Sequence, residues 1–403
     1  MSSPRHLRVG VIALGWMGRL HSASYLALPQ KFPNLEATLE LATACDPLEA
    51  NREFARKGLG FHKTVSDYKE VINDPDIDIV SICTPNYLHK EIAVAAAEAG
   101  KPFWIEKPMG ISAKQAGAIA KAVQDNDVIT SVGFNYRHTP AVEQARQLIA
   151  DGKLGRITNV RCWFIADYAS SEDGPFTWRY DKERAGSGVV GDLMSHGVDL
   201  VHYVLQSPIT QVNALTDTFI TERPLPLKAG VGHTGWEVSD ERVPVENEDY
   251  VAMMARLENG VVGTLESSRV SVGPRAEYVI EVYGTQGSLR WDFERLNELE
   301  VCLGQDNGTI HGYTRVLANT HFPFFANFQP GPGNSMGFDD MKCVEAYQFI
   351  QGILTHRQIG PSVADGWLAA EVDEATVASA QEGIWKDVAP VSGSLTFNQP
   401  TLS

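Results

Sequence analysis

Short apolar runs alternate with amphipathic, alanine-rich stretches over the first third of the chain. The apolar runs predict buried strands, at Leu7–Leu14, Leu39–Cys45, Ile77–Cys83, Pro102–Glu106 and Val128–Phe134. The stretches between them carry apolar residues at i, i+3 and i+4 and predict helices, at about 18–29, 48–58, 87–99 and 112–125. This alternation indicates a parallel sheet covered by helices on both faces, which binds ligands at the carboxyl ends of its strands.

The pattern changes after about residue 150. Long β-type runs predict strands without intervening helices, at 155–168, 208–221, 249–257, 260–270, 277–284 and 287–293. Further helices are predicted at 191–205, 337–354 and 364–382. Successive strands of this kind are typical of a mostly antiparallel sheet.

Two segments lack a regular pattern. The stretch 222–248 contains several prolines and glycines, and it is predicted to be an inserted loop. The stretch 303–336 is rich in glycine but also in phenylalanine, and it contains His321. Long loops with many aromatic residues are rarely inert, so we expect a substrate lid or a subunit contact there rather than disorder.

Length, charge and cysteine usage narrow the class of protein. A chain of 403 residues is long for one core and indicates two domains. Its formal charge of -16 argues against a nucleic acid or an anionic membrane surface as partner. No apolar run approaches the roughly 20 residues that span a bilayer. The five cysteines are scattered without a Cys-x-x-Cys motif, which favours reduced thiols in a cytoplasmic protein.

A glycine-spaced turn follows the first predicted strand. Against the dinucleotide-binding pattern G-x-G-x-x-G, this chain has Ala13 at the first glycine and keeps Gly15 and Gly18. Those two glycines let the backbone approach a pyrophosphate and let the next helix pack on the sheet. The turn therefore predicts a dinucleotide site, although apolar-glycine runs also occur in ordinary strand-turn connections.

Polar residues follow the next two strands. Asp46 ends the second strand, where its carboxylate can accept hydrogen bonds from the adenosine ribose and repel a 2′-phosphate, which favours NAD over NADP. An aspartate before Pro47 is also common turn chemistry. Thr84 and Asn86 follow the third strand, and they can contact a ribose, cap the helix that contains His89, or do both.

The fourth strand ends in Glu106-Lys107-Pro108. A lysine at the mouth of a buried strand, braced by the adjacent glutamate and followed by a rigid proline, is placed to act on a ligand. Its ammonium can hydrogen-bond a substrate hydroxyl and stabilise a developing alkoxide. The alternative is a lysine that forms a surface salt bridge.

Asp192 and His196 lie at i and i+4, on one face of the predicted helix 191–205. Histidine titrates near neutral pH, so His196 suits a general base that takes a hydroxyl proton as hydride leaves carbon. With Asp199 and His202 nearby, zinc is an alternative, but no further cysteine or histidine cluster completes a metal site. Alternatively, Asp192 and His196 lie on a solvent-exposed helix surface and have no catalytic role.

Trp178 and Arg179 precede a glycine-rich stretch at 186–188. Arginine beside an aromatic ring suits a phosphate or a stacking contact. Alternatively, Trp178 packs in the hydrophobic core, and the sequence favours the two interpretations equally.

Together these motifs resemble the Gfo/Idh/MocA oxidoreductase family. The order of Glu-Lys-Pro and Asp-x-x-x-His is highly specific, and the matching pieces run over nearly the full length. They are Leu7–Gly18, Cys83–Asn86, Ala99–Pro102, Glu106–Pro108, Gly133–Arg137, Trp178–Arg179, Gly191–His196 and Pro361–Gly366. Ala13 departs from the usual glycine, which puts the affinity for the cofactor in doubt rather than its identity.

The resemblance implies an α/β protein with an N-terminal Rossmann domain and a C-terminal α/β domain that has a large, mostly antiparallel, open-faced sheet. The expected boundary divides residues 1–134, which bind NAD, from residues 135–403, which bind substrate and pair subunits. The final helix, 364–382, can pack back on the first domain. The exposed sheet face in such folds usually pairs subunits, so a homodimer or homotetramer is expected.

The resemblance also implies an NAD-dependent enzyme that oxidises a secondary hydroxyl of a sugar, anhydrosugar or cyclitol. Its catalytic group would be Lys107, Asp192 and His196. The expected cofactor contacts are Gly15, Trp16, Met17, Asp46, Thr84, Asn86, His89, Glu106, Lys107, Asn135, Trp178 and Arg179. The expected substrate contacts are Lys107, Asn135, Arg137, Asp192, His196 and His321.

Two other functions share this fold. One is a redox-neutral glycosidase that keeps NAD bound for transient oxidation. The other is a non-catalytic NAD(P)-sensing regulator, which would be free to lose the catalytic group that stands intact here.

Overall fold

The computed structural model has two halves of unequal length, of which the first, residues 5–132, is built on a parallel sheet. The structure describes residues 4–228, 235–304, 311–393 and 395–397. The strands are β1 (Arg5–Ile12), β2 (Ala37–Cys45), β3 (Lys63–Val65), β4 (Ile79–Ile82), β5 (Phe103–Ile105) and β6 (Thr130–Val132). They lie in the order β3-β2-β1-β4-β5-β6, which is the Rossmann order. The order reverses between β1 and β4, where such sheets bind dinucleotides.

The helices of this half agree with the predicted pattern. They are α1 (Trp16–Lys31), α2 (Glu49–Phe54), α3 (Lys69–Ile72), α4 (Asn86–Glu98) and α5 (Ala113–Asn126). A π-helical turn, Ala55–Leu59, extends α2 to the end of the predicted helix. The pattern missed β3 and α3, because three or four residues are too few to show a period.

The second half contains a large, mostly antiparallel sheet, as predicted. Its strands are β7 (Ile157–Ala166), β8 (Ile209–Asp217), β9 (Glu222–Lys228), β10 (Glu237–Pro244), β11 (Tyr250–Leu257), β12 (Val262–Ser268), β13 (Ala276–Gly284), β14 (Gly287–Asp292), β15 (Glu298–Leu303), β16 (Thr314–Leu317) and β17 (Lys386–Asp387). Nine of them form one sheet in the order β16-β15-β14-β13-β7-β12-β11-β8-β17. Only the β7–β12 pair within it is parallel among the described residues.

The two remaining strands, β9 and β10, pair with each other in an antiparallel ribbon. The prediction that 222–248 is a loop is therefore wrong for its described residues, and residues 229–234 lie outside them. Pro224 and Pro226 suggested a loop because proline cannot donate to a sheet. In a ribbon of two strands each strand is an edge, where proline is tolerated.

The helices of the second half include several that also contact elements of the first half. They are α6 (Pro140–Ala150), α7 (Lys182–Ala185), α8 (Ser195–Leu205), α9 (Phe325–Phe328), α10 (Phe338–Thr355) and α11 (Val363–Glu382). The final helix, α11, packs on both β8 and α5, and α10 packs on α1. A domain boundary after residue 134 stays a prediction.

Phenylalanines of the stretch 303–336 lie in the core. Phe322, Phe325 and Phe328 are buried, and the ring centroid of Phe328 lies 5.9 Å from that of Phe32, just after α1. Core packing, including the contact with Phe32, therefore accounts for the apolar content of this segment without a lid or a subunit contact. Residues 305–310 lie outside the described residues.

The cysteines form no disulfide: all five are free, and all lie in the described part of the chain. Within that part, no helix has the length and apolar character to cross a membrane. The fold therefore depends on its packed core rather than on cross-links.

Ala13→Gly is expected to stabilise the fold by about 1 kcal/mol. Ala13 has a φ of 72°, in the left-handed region, where a Cβ costs energy that glycine avoids. The measurement is the free energy of unfolding in urea. The control is Ala122→Gly inside α5, which should destabilise the protein by about 1 kcal/mol. A less stable Ala13→Gly variant would contradict the strain at this turn.

Candidate active site

The glycine turn joins β1 to α1 at the switch point of the parallel sheet. Gly15 precedes the first residue of α1, and no side chain of the described residues caps this helix. A Cβ at Gly15 would meet no atom within 4 Å, whereas a Cβ at Gly18 would lie 1.9 Å from the carbonyl oxygen of Ala13. Gly18 is therefore needed for packing, and the first N–H groups of α1, at Trp16 and Met17, have no partner within the helix and are of the kind that binds a pyrophosphate.

Asp46 is held against this turn by three donors. Its carboxylate accepts hydrogen bonds from the backbone N of Leu14 at 2.8 Å, the backbone N of Leu48 at 2.9 Å and the Nδ2 of Asn51 at 3.1 Å. The side chain therefore organises the turn, which was the alternative to a cofactor role. A carboxylate has about four lone-pair sites, so one remains for a ribose hydroxyl and the two roles are compatible.

The loop after β4 uses its polar residues in different ways. Asn86 donates from Nδ2 to the carbonyl oxygen of Ala185 at 3.2 Å. His89 is fully buried, and its Nδ1 and Nε2 lie 2.9 Å and 2.8 Å from the carbonyl oxygens of Pro108 and Thr84. The Oγ1 of Thr84 is buried with no hydrogen-bond partner among the described residues, so it can serve a ribose hydroxyl. Both ring nitrogens of His89 therefore have protein carbonyls as partners, and its role as a cofactor contact stays a prediction.

The structure brings the predicted catalytic group together. Lys107 follows β5, and its Nζ donates to the backbone carbonyl of Asp192 at 2.7 Å and to Oδ1 at 3.3 Å. Asp192 lies in a π-helical turn, Val190–Met194, that leads directly into α8, whose second residue is His196. The charges of Lys107 and Asp192 both act on the imidazole of His196. The side chains of Lys107 and Asp192 are only 14% and 28% exposed and His196 is buried, which argues against a role for these residues as surface groups.

Asp192 is ionised despite its surroundings. Burial alone raises its pKa, but the positive charges of Lys107 and Arg179 and a hydrogen bond from Tyr168 outweigh burial and hold the pKa well below its usual range. The hydroxyl of Tyr168 donates to Oδ2 at 2.5 Å. An anion at this place fixes the ammonium of Lys107.

His196 is kept neutral. Burial, and next the charge of Lys107, lower the pKa of His196 well below its usual value. The ring lies edge-on to Tyr136 with centroids 4.8 Å apart, and the backbone carbonyl of His196 accepts from the hydroxyl of Tyr278 at 2.6 Å. No hydrogen bond joins its ring nitrogens to another residue in the described ranges. A ring nitrogen is therefore available to accept a substrate proton.

Glu106 does not brace Lys107. Its Oε1 accepts from the Nζ of Lys342 on α10 at 2.5 Å and from the Nε2 of His21 on α1 at 2.9 Å. Burial raises the pKa of Glu106, but these two partners outweigh it and keep the carboxyl ionised. The prediction of a bracing contact is wrong because successive residues at a strand end point to opposite sides.

The other predicted substrate contacts lie in different surroundings. Asn135 is buried, and its Nδ2 has no hydrogen-bond partner among the described residues, so it is open to a ligand. The guanidinium of Arg137 is also buried, but it is bound by Asp199 (Nε to Oδ2, 2.8 Å) and by Asp365 (3.3 Å). His321 is exposed in the turn before α9. The guanidinium of Arg137 thus has protein partners and His321 lies on an exposed turn, so their roles as substrate contacts stay predictions.

Arg179 has a positively charged side chain with no ion-pair partner among the described residues. Its guanidinium carbon lies 4.5 Å from the ring centroid of Trp178, and no ion pair holds it within the described chain. Its positive charge contributes to the low pKa of Asp192. The guanidinium of Arg179 can bind a phosphate or a sugar hydroxyl. The half-buried ring of Trp178 packs against this guanidinium.

The residues named for a zinc alternative have other partners. Asp199 binds Arg137, and the Nε2 of His202 accepts from the backbone N of Ile209 at 3.0 Å. In the part of the chain that the structure describes, no three His, Cys, Asp or Glu residues are grouped to hold a metal ion.

Tyr168 is a contact that sequence analysis missed. It lies in the loop directly after β7, where one aromatic residue gives no distinct signal. Tyr168→Phe is expected to lower kcat/KM about 10-fold, because a hydrogen bond to a charged carboxylate contributes about 1.5–3 kcal/mol. Steady-state kinetics measure this, with Tyr283→Phe as control because its hydroxyl donates to a carboxylate on the large sheet. Equal kinetics of the two variants would contradict a role for Tyr168.

Two family models match the chain. Residues 7–134 match the oxidoreductase family with an NAD-binding Rossmann fold. Residues 142–290 match the GFO/IDH/MocA C-terminal domain. Together these matches cover both halves of the architecture described above.

Individual relatives agree with the family models. Levoglucosan dehydrogenase from Pseudarthrobacter phenanthrenivorans is 37% identical over 96% of this chain and 100% of its own length. The scyllo-inositol 2-dehydrogenase (NAD(+)) from Bacillus subtilis is 28% identical over 70% of this chain and 74% of its own length. A structure of levoglucosan dehydrogenase in complex with NADH and levoglucosan has a TM-score of 0.90 and 35% identity, over 96% of this chain and 100% of that chain. The chain therefore belongs to the Gfo/Idh/MocA family of oxidoreductases, as its motifs predicted.

Proposed function

We propose that the protein is an NAD-dependent dehydrogenase that oxidises a secondary hydroxyl of a sugar, anhydrosugar or cyclitol to a ketone. The observation that carries the proposal is the ammonium of Lys107 held on Asp192, beside a neutral His196, at the carboxyl edge of the parallel sheet. The relatives named for levoglucosan and scyllo-inositol support this substrate class.

Each residue of the catalytic group has a different role in the oxidation. Lys107 donates a hydrogen bond to the substrate oxygen and stabilises the negative charge that develops as the O–H bond breaks. His196 accepts the hydroxyl proton on a ring nitrogen. The hydride of the carbinol carbon would pass to the nicotinamide ring that bound NAD supplies. Asp192 orients Lys107, and its negative charge eases protonation of His196.

The geometry refines the proposed contacts. We keep as cofactor contacts Gly15, Trp16, Met17, Asp46, Thr84, Asn86, Lys107, Asn135, Trp178 and Arg179. We omit His89 and Glu106 because protein groups occupy their polar atoms. We omit Arg137 and His321 as substrate contacts, since one is bound by two aspartates and the other lies on an exposed turn.

The open face of the nine-stranded sheet supports a homodimer or homotetramer. The helices α8 and α11 cover the opposite face. On the open face, Leu215, Met254 and Val262 are 57%, 47% and 49% exposed, and Leu215 and Met254 line a shallow cavity of about 330 Å³. Exposed apolar side chains in a row mark an interface. Light scattering would measure the oligomeric state. We also propose that the protein is located in the cytoplasm, where cysteines stay reduced.

A substrate panel tests the proposed function. Levoglucosan, common sugars and inositols are incubated with NAD or NADP, and NADH or NADPH is followed at the nicotinamide band. We expect net NADH from a polyol with NAD. A strong preference for NADP would contradict the role of Asp46. Release of sugar from a glycoside without net NADH would favour the glycosidase instead.

A further inference from the structure

Three consecutive N–H groups at the start of the catalytic helix meet one residue, Glu248. We define the catalytic helix as the turn Val190–Met194 together with α8. The Oε1 of Glu248 accepts from the N of Gly188 at 2.7 Å and of Val190 at 3.0 Å, and its carbonyl oxygen accepts from the N of Val189 at 2.9 Å. The first N–H groups of a helix have no acceptor within the helix. A carboxylate near them is also stabilised by the partial positive charge at the helix N-terminus. The segment between β10 and β11 therefore caps the catalytic helix.

This cap is close and firmly anchored. A Cβ at Gly188 would lie 2.0 Å from the carbonyl oxygen of Glu248, so the two backbones are in contact. Asn247 and Asp249, on either side of Glu248, are 1% and 0% exposed. Each is hydrogen-bonded through its side chain to a neighbouring segment. Glu248 is therefore fixed to the core of the second domain.

We infer that Glu248 is a positioning residue for the catalytic group, an inference that rests on the proposed function. The carbonyl oxygen of Gly188 accepts from the backbone N of Asp192 at 3.1 Å, so the turn that Glu248 caps is the one that carries Asp192. Asp192 in turn holds the Nζ of Lys107. A shift of about 1 Å in such a chain can lower the rate by about 10²-fold.

Three variants test this role. Glu248→Ala is expected to lower kcat by about 10-fold to 100-fold, with KM for NAD within about twofold, because the glycine turn is elsewhere. Amide exchange, measured by mass spectrometry without substrate, should accelerate in peptides that cover 187–196. Glu248→Gln should restore most of both properties, since its amide oxygen can accept the same N–H groups. Glu246→Ala, at an exposed neighbouring glutamate, is the matched control.

Each outcome decides the role of Glu248. Unchanged exchange in Glu248→Ala overturns the cap, and faster exchange with wild-type kcat overturns its link to catalysis. A loss of kcat in Glu248→Gln as large as in Glu248→Ala, with exchange at the wild-type rate, assigns a role to the charge instead. If the wild type oxidises no polyol in the panel, the proposed function fails, and the exchange result still decides the cap.

Discussion

Lys107→Ala is expected to lower kcat for polyol oxidation by about 10²-fold to 10³-fold, while NADH still binds. The substitution removes the cation that stabilises the developing alkoxide, a charge that exists mainly in the transition state. The glycine turn and Asp46 keep their geometry, because neither contacts Lys107. The measurements are kcat from NADH formation and the Kd of NADH from a fluorescence titration.

Two further variants separate position from charge. Lys107→Arg keeps the charge, but a planar guanidinium cannot take the place of a compact ammonium, so kcat should stay well below wild type. Lys114→Ala removes an exposed lysine on α5 and should leave kcat unchanged. Wild-type kcat in Lys107→Ala, or an equal loss in Lys114→Ala, would remove Lys107 from the catalytic group.

The parallel sheet could be predicted almost completely, because each of its strand–helix units is a local pattern in the sequence. Only the short edge strand β3 and the helix α3 escaped. In the second half, prolines hid the ribbon of β9 and β10, since a ribbon pairs only with itself and tolerates them. The helix α6 and the strands β15 and β16 were also missed.

The contact between Lys107 and Asp192 and the nearby position of His196 could be predicted because each residue lies in a short motif, whereas their catalytic roles stay a proposal. Which other side chains meet could not be predicted, because that depends on the folded backbone. Glu106 and Lys107 are adjacent in sequence, yet one contacts α10 and the other contacts Asp192. Tyr168 and Glu248 lie in loops without a motif, and they reach the catalytic helix only after folding.

His196→Asn is expected to lower kcat by about 10²-fold to 10⁴-fold, the range for loss of a general base. Asparagine keeps a polar side chain of similar reach, but it cannot take up the hydroxyl proton. The measurement is kcat, with NADH binding as the test of an intact cofactor site. His356→Asn is the control, because His356 is exposed and its φ of 51° suits asparagine. A kcat equal to wild type in His196→Asn would assign the base to another group.

The pH dependence of kcat identifies that base. Burial and then the charge of Lys107 lower the pKa of His196 well below 6.5. A base works only when unprotonated, so kcat for oxidation should stay level as the pH falls through about 6.5 and drop only at lower pH. Lys107→Ala removes a cation, so the acid limb of its residual activity should move to higher pH. Asp192→Asn removes an anion and should move the limb to lower pH. Opposite shifts in the two variants would show that the acid limb reports the titration of His196. An acid limb that moves in neither variant would show that it reports another group.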